Sequence, residues 1–124
     1  MVYHRDFNAE HADHQALRPL IIADGLRCMV AGGPWHGEAE QTNLILASRD
    51  MIALDAAGVG LLKHFGRWDE VTNISVWEQR QIKRAVELGL GAKGPEELEL
   101  IARSLLGRDE EFSKLTEAIE AHLK

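Results

Sequence analysis

A glycine-rich segment at residues 32–38 holds the residue types best suited to bind a ligand. Glycines let a backbone turn sharply and direct several N–H groups toward one point, which suits an anion or a phosphate. The segment is neither a P-loop nor a dinucleotide-binding loop, because both consensus spacings are missing. Two interpretations stay open: a tight turn stabilised by packing of the tryptophan, or a site for a ligand or partner. The candidate contact residues are Gly32, Gly33, Pro34, Trp35, His36 and Gly37.

Four titratable side chains are the candidates for chemistry around this segment. His36 could act as a general acid or base, or be only a polar loop residue. Asp24, Asp50 and Asp55 follow the predicted strands, and carboxylate oxygens suit magnesium or another hard cation. Asp24 is equally explained as a turn former and Asp50 as a helix cap. Asp55 falls on a predicted apolar stripe, where a buried carboxylate needs partners, so we expect it to anchor the 32–38 loop through the loop's N–H groups.

The elements that must position these side chains begin with two short apolar runs. Residues 20–24 and 43–47 are predicted to be buried strands, the first ending at the turn signal Asp24-Gly25. The intervening residues 25–41 are then a long connection, and long connections are usually functional or mobile. Asp6 is expected to cap a first helix over residues 7–17.

Local signals also mark the later helices. Asp50 opens a helix over 51–64, Ser75 begins a capping-box pattern, and Gly89 ends the helix that follows. Residues 97–102 fit either a strand or part of an amphipathic helix. Asp109 caps a final helix over 109–123, with an apolar stripe made of Phe112, Leu115, Ile119 and Leu123.

Length and composition predict one α/β domain over residues 1–124, with a small mixed sheet covered by helices. The 124 residues are 45% apolar, contain one cysteine and carry a net charge of −6. A lone Cys28 cannot form an internal disulfide, a structural zinc site or an iron–sulphur cluster. The acidic balance argues against nucleic acid, and we expect the basic cluster of Arg80, Lys83 and Arg84 to be solvated. Without a span of about 18 apolar residues or a signal peptide, we expect a cytoplasmic protein with no membrane partner.

The ordered motifs resemble domain-of-unknown-function family 362. They are Leu-Ile-Ile-Ala-Asp-Gly at 20–25, Gly-Gly-Pro-Trp-His-Gly at 32–37, Asn-Leu-Ile-Leu-Ala at 43–47, Asp50, Ala-Leu-Asp-Ala at 53–56, Gly-Leu-Gly at 89–91 and Glu-Leu-Glu-Leu-Ile at 97–101. The resemblance spans about residues 5–102 and favours a strand at 97–102. Met51, where proline is usual, and Ala31 depart from the family pattern.

The resemblance implies a context rather than a reaction. Many members of the family are larger and carry ferredoxin-like cysteine clusters for [4Fe–4S] centres. This chain has no such cluster, so it looks like the C-terminal portion of the family domain. The implied expectation is no cofactor in this chain and a [4Fe–4S] cluster on another domain or on a ferredoxin-like partner.

Three functions compete at this point. The first is a binding module of an iron–sulphur-associated protein, whose 32–38 segment contacts a ligand, such as a small anion, or a partner. The second is a small metal- or anion-dependent enzyme that uses His36 with Asp24, Asp50 or Asp55. The third is a structural subunit that forms a homo-oligomer through the C-terminal helix.

Overall fold

The computed structural model describes residues 2–4 and 19–124, so the helix predicted over 7–17 lies outside the described residues. The strands are β1 (Val2–His4), β2 (Ile21–Gly32), β3 (Gly37–Ser48) and β4 (Leu98–Leu100). The α-helices are α1 (Met51–Phe65), α2 (Asp69–Thr72), α3 (Arg80–Glu87) and α4 (Glu110–Leu123), with short 3-10 helices at Val76–Glu78 and Pro95–Glu97. The α/β class is confirmed, and the described strands form two antiparallel pairs, β1 with β4 and β2 with β3.

The strands β2 and β3 form one long hairpin, so the prediction of a loop over residues 25–41 was wrong. Pairing runs from Ile21–Ser48 at the base to Gly32–Gly37 at the tip. The turn signal at residues 24–25 produces a register shift instead of a turn. There the Asp24 carboxylate accepts a hydrogen bond from the Leu26 N–H at 2.8 Å. A Cβ at Gly25 would lie 3.1 Å from the carbonyl oxygen of the facing strand, so this glycine permits close backbone approach.

The two faces of the hairpin differ, which corrects the prediction of fully buried strands. One face packs on the core through side chains such as Leu44, which is buried against α1. The opposite face leaves Ile22 and Ile45 about two-thirds exposed, at 64% and 65%. Residues alternate between the faces because successive side chains of a strand point in opposite directions.

Helix α1 is the centre of the fold and confirms the predicted helix over 51–64. Asp50 caps it by accepting a hydrogen bond from the Ala53 N–H at 2.9 Å. Its buried face consists mainly of small residues, and a Cβ at Gly60 would lie 3.3 Å from the Ile119 carbonyl oxygen of α4. The helices α1 and α4 therefore pack with their backbones close together.

The capping box predicted at Ser75 was wrong: Ser75 makes no side-chain cap hydrogen bond, a 3-10 helix covers Val76–Glu78, and α3 begins only at Arg80. The other C-terminal elements follow their local signals. Gly89 has φ 68°, which confirms the left-handed glycine ending predicted for this helix, and the bonds from the Gly89 N–H to Val86 and from the Leu90 N–H to Ala85 make it a Schellman motif. Residues 98–100 form the favoured strand. Asp109 caps α4 by accepting from the Phe112 N–H at 3.0 Å.

The apolar stripe of α4 faces the protein, as predicted. Ile119 and Leu123 are buried, and Phe112 and Leu115 are half-buried against the core. These side chains pack within the chain, and the oligomer contact that the third function requires stays a prediction.

Candidate functional site

The 32–38 segment forms the tight tip of the β2–β3 hairpin. The Gly33 N–H donates a hydrogen bond of 2.7 Å to the His36 carbonyl, which closes the turn over residues 33–36. Gly32 and Gly33 have φ values of 72° and 114°, a region that side chains disfavour. The glycines are therefore needed to make the turn, and the Gly33 N–H is satisfied inside it.

The aromatic ring of Trp35 does not stabilise this turn by packing. Trp35 is 88% exposed, and the neighbouring Pro34 and His36 are exposed as well. The tight turn is present, but its predicted stabilisation by Trp35 is wrong, and a ligand or partner site at this segment stays a prediction. The Trp35 indole therefore projects from the hairpin tip into solvent.

An ion-pair cluster joins the upper part of the hairpin to the end of α1. The guanidinium of Arg67 lies 2.6 Å from Glu40 and 3.4 Å from Glu38. The hydrogen bond and charge of Glu40, followed by those of Glu38, raise the pKa of Arg67 above its usual value. Arg67 directly follows Gly66, the C-cap of α1, so the cluster positions the tip relative to the helix. Sequence reasoning missed this contact because no local pattern links residue 67 to residues 38 and 40.

The candidate catalytic and metal residues are not brought together around the tip. Asp50 and Asp55 belong to the N-terminal end of α1, while the tip lies beyond its C-terminal end, and a 15-residue helix is roughly 22 Å long. Asp24 lies within β2, roughly 25 Å along the strand from the tip. His36 therefore stands apart from all three aspartates, which corrects the predicted arrangement.

The separation of these side chains also bears on metal binding. In residues 19–124, no group of three or more His, Cys, Asp or Glu side chains is arranged to hold a metal ion. The three aspartates therefore have no shared donor set in this part of the chain.

Asp55 does not have the role predicted for it, and the buried carboxylate in this region is Asp50 instead. Asp55 is exposed and accepts a hydrogen bond from Gln81 at 3.0 Å, so it does not anchor the 32–38 segment. Asp50 is 1% exposed, and beyond capping α1 it accepts a second hydrogen bond, 2.8 Å long, from the Ala92 N–H. Asp50 thus ties the base of the hairpin and α1 to the turn that follows α3.

The basic cluster on α3 is solvated, as expected. Lys83 and Arg84 are exposed and pair with Glu78 and Glu87, each at 2.8 Å. The hydrogen bond and charge of Glu78 raise the pKa of Lys83. Neighbouring carboxylates thus offset two of the three positive charges.

Comparison with models of protein families gives a match for the N-terminal part of the chain. Residues 1–60 match the model of the family described as Domain of unknown function (DUF362), which confirms the predicted family resemblance over that part of the chain. The match includes the hairpin and the first ten residues of α1, while the resemblance of residues 61–102 stays a prediction. No curated protein and no solved structure matches. In the described part of the chain, the helices are too short or too polar to cross a bilayer.

Proposed function

We propose that this chain is a protein-binding domain of an iron–sulphur-associated system and that it docks through the tip of the β2–β3 hairpin. The observation that carries the proposal is the exposure of Trp35 at 88%. Tryptophan is enriched among the residues that dominate binding energy at interfaces, and burying an indole on a partner removes a large apolar area from water.

The anchoring of the hairpin supports docking of a partner protein. The Arg67 contacts to Glu38 and Glu40 restrain the upper hairpin, so less conformational freedom is lost when a partner binds. A small anion finds less support, because the Gly33 N–H already donates within the turn. The enzyme alternative finds none in the described geometry, because His36 is separated from the aspartates.

The chemistry of the partner rests on the family resemblance. The resemblance to the family implies an association with ferredoxin-like [4Fe–4S] modules. Because this chain has a single cysteine, the cluster would be carried by the partner. The partner proposed here is a ferredoxin-type [4Fe–4S] protein encoded beside the gene for this chain.

Binding measurements with that ferredoxin-type protein test the proposal. Under anaerobic conditions, we expect the wild-type chain to bind and Trp35→Ala to weaken binding by about tenfold or more. Leu88→Ala is the matched control, because Leu88 is also an exposed apolar side chain but lies at the end of α3. We expect this variant to bind the partner with wild-type affinity. Equal affinities for Trp35→Ala and wild type would contradict docking through the tip. An absence of binding by the wild-type chain would contradict the proposed partner.

A further inference from the structure

The connection between β4 and α4 exposes two consecutive leucines. Leu105 and Leu106 are 98% and 85% exposed and form a pair, called here the leucine pair. The next residue, Gly107, has φ 79°, a conformation that fixes a sharp bend after the pair. A monomer gains nothing by holding two adjacent leucines in water, so this feature calls for a covering surface.

An apolar groove lies beside the leucine pair. It has a volume of about 350 Å³ and runs between β3 and residues 100–103, with α4 as its floor. Most of its lining is apolar, including Leu44, Ile45, Leu100, Ala102, Phe112 and Ile119. The same connection therefore forms one wall of the groove and then turns its leucines outward.

We propose that two copies of this chain associate, each inserting its leucine pair into the groove of the other. In a two-fold symmetric dimer, the same patch serves both copies, so it must contain a protruding part and a receiving part. The leucine pair and the groove meet this requirement because they adjoin each other along residues 100–106. This surface is separate from the hairpin tip: Ile45, on the rim, lies eight residues along β3 from Gly37.

Charge around the patch also favours a second copy. Arg103 and Arg108 flank the leucine pair, and both are exposed. Glu110 and Glu111 occupy the first turn of α4, close to the same connection. A two-fold axis through the patch brings the basic side chains of one copy toward the acidic turn of the other, which adds attraction at the rim.

A membrane surface is the competing occupant. Leucines flanked by arginines are also typical of segments that insert at a bilayer interface. The net charge of −6 opposes approach to an anionic bilayer, however, and the adjoining groove would have no occupant in that arrangement. The observations therefore favour a second copy of this chain.

Sedimentation velocity over a wide range of protein concentration tests the association. The patch is small, so we expect a weak dimer whose population rises with concentration. Leu105→Ser/Leu106→Ser should weaken dimerisation by about tenfold or more for each leucine removed. Ala102→Arg should block the groove with the same result, since Ala102 is exposed and lines it. Leu88→Ser, an exposed leucine outside the patch, is the control and should dimerise like the wild type.

Mixing the two defective variants gives the sharpest result. Each variant alone loses both contacts of the dimer, but the mixture forms a heterodimer in which the intact leucine pair of one copy meets the intact groove of the other. We expect the mixture to dimerise more strongly than either variant alone and less strongly than the wild type. A wild-type chain that stays monomeric throughout, or a mixture that stays monomeric while the wild type dimerises, would overturn the proposal. Binding of the monomer to anionic vesicles through the leucine pair would overturn it in favour of a membrane.

Discussion

Replacement of Asp50, at the base of the hairpin, should lower the free energy of unfolding more than most single substitutions in this region. Its carboxylate accepts hydrogen bonds from the Ala53 N–H at 2.9 Å and the Ala92 N–H at 2.8 Å while being 1% exposed. Loss of a helix cap costs about 1 kcal/mol, and a buried N–H left unsatisfied costs about 1–3 kcal/mol. Asp50→Ala should therefore lower the free energy of unfolding by roughly 2–4 kcal/mol.

Asp109 supplies the matched control for this experiment. It also caps a helix, because its carboxylate accepts a hydrogen bond from the Phe112 N–H at the start of α4. Asp109→Ala should cost about 1 kcal/mol, and Asp109→Asn almost nothing, because asparagine caps a helix as well as aspartate does. Asp50→Asn should still lose about 1–3 kcal/mol, because the two N–H groups bond to different carboxylate oxygens, and asparagine replaces one of these oxygens with an NH2 donor.

Urea unfolding followed by circular dichroism measures these differences. Gly91→Ala provides an independent test, because a Cβ at Gly91 would overlap the Asp50 carboxylate, so this variant should also be destabilised. The reasoning would be refuted if Asp50→Ala cost no more than Asp109→Ala, or if Gly91→Ala unfolded like the wild type.

Three further predictions follow from contacts and burial. Asp55→Ala should change the free energy of unfolding by no more than about 0.5 kcal/mol in urea unfolding, because its side chain is exposed; a loss comparable to that of Asp50→Ala would contradict this assignment. Gly58→Ala should stabilise the chain by about 0.4–1 kcal/mol, since a Cβ there meets nothing within 4 Å, whereas Gly60→Ala should destabilise it, as thermal melting of both variants will show. Burial, then the charges of neighbouring basic groups, lower the pKa of His122 in the folded state. The unfolded chain therefore binds more protons than the folded chain near pH 6.5, so the free energy of unfolding should rise with pH through that region. In urea titrations at several pH values, His122→Gln should flatten this rise. An unchanged slope would exclude the contribution of His122.

The sequence predicted three helix boundaries correctly because each depends on residues within one turn, whereas the helix start predicted at Ser75 was wrong, since α3 begins at Arg80. The caps at Asp50 and Asp109 and the glycine ending at Gly89 all lie where the local pattern indicates. The hairpin was missed because strand pairing is non-local. Gly25, which is typical of a turn, is instead required by the close approach of the facing strand.

The site was harder to predict for the same physical reason. Asp55 was assigned to the buried side of α1 because the large apolar residues of this helix, Met51 among them, were expected to form its buried face. The buried face is instead built mainly from small residues such as Ala53 and Ala57. The exposure of Trp35 depends on what packs around the tip, which neighbouring residue types do not reveal. The glycines did indicate correctly that residues 32–37 contain a sharp turn.

The docking role of the hairpin tip is tested most directly by fluorine NMR of the chain labelled with 5-fluorotryptophan. Trp35→Phe and Trp77→Phe assign two resonances, and Trp77 serves as the internal control because its indole N–H donates to the Leu123 carbonyl at 2.8 Å. On titration with the ferredoxin-type protein, the account predicts that the Trp35 resonance shifts or broadens as the complex forms, while the Trp77 resonance stays in place. A complex that forms with the Trp35 resonance unchanged would contradict the account.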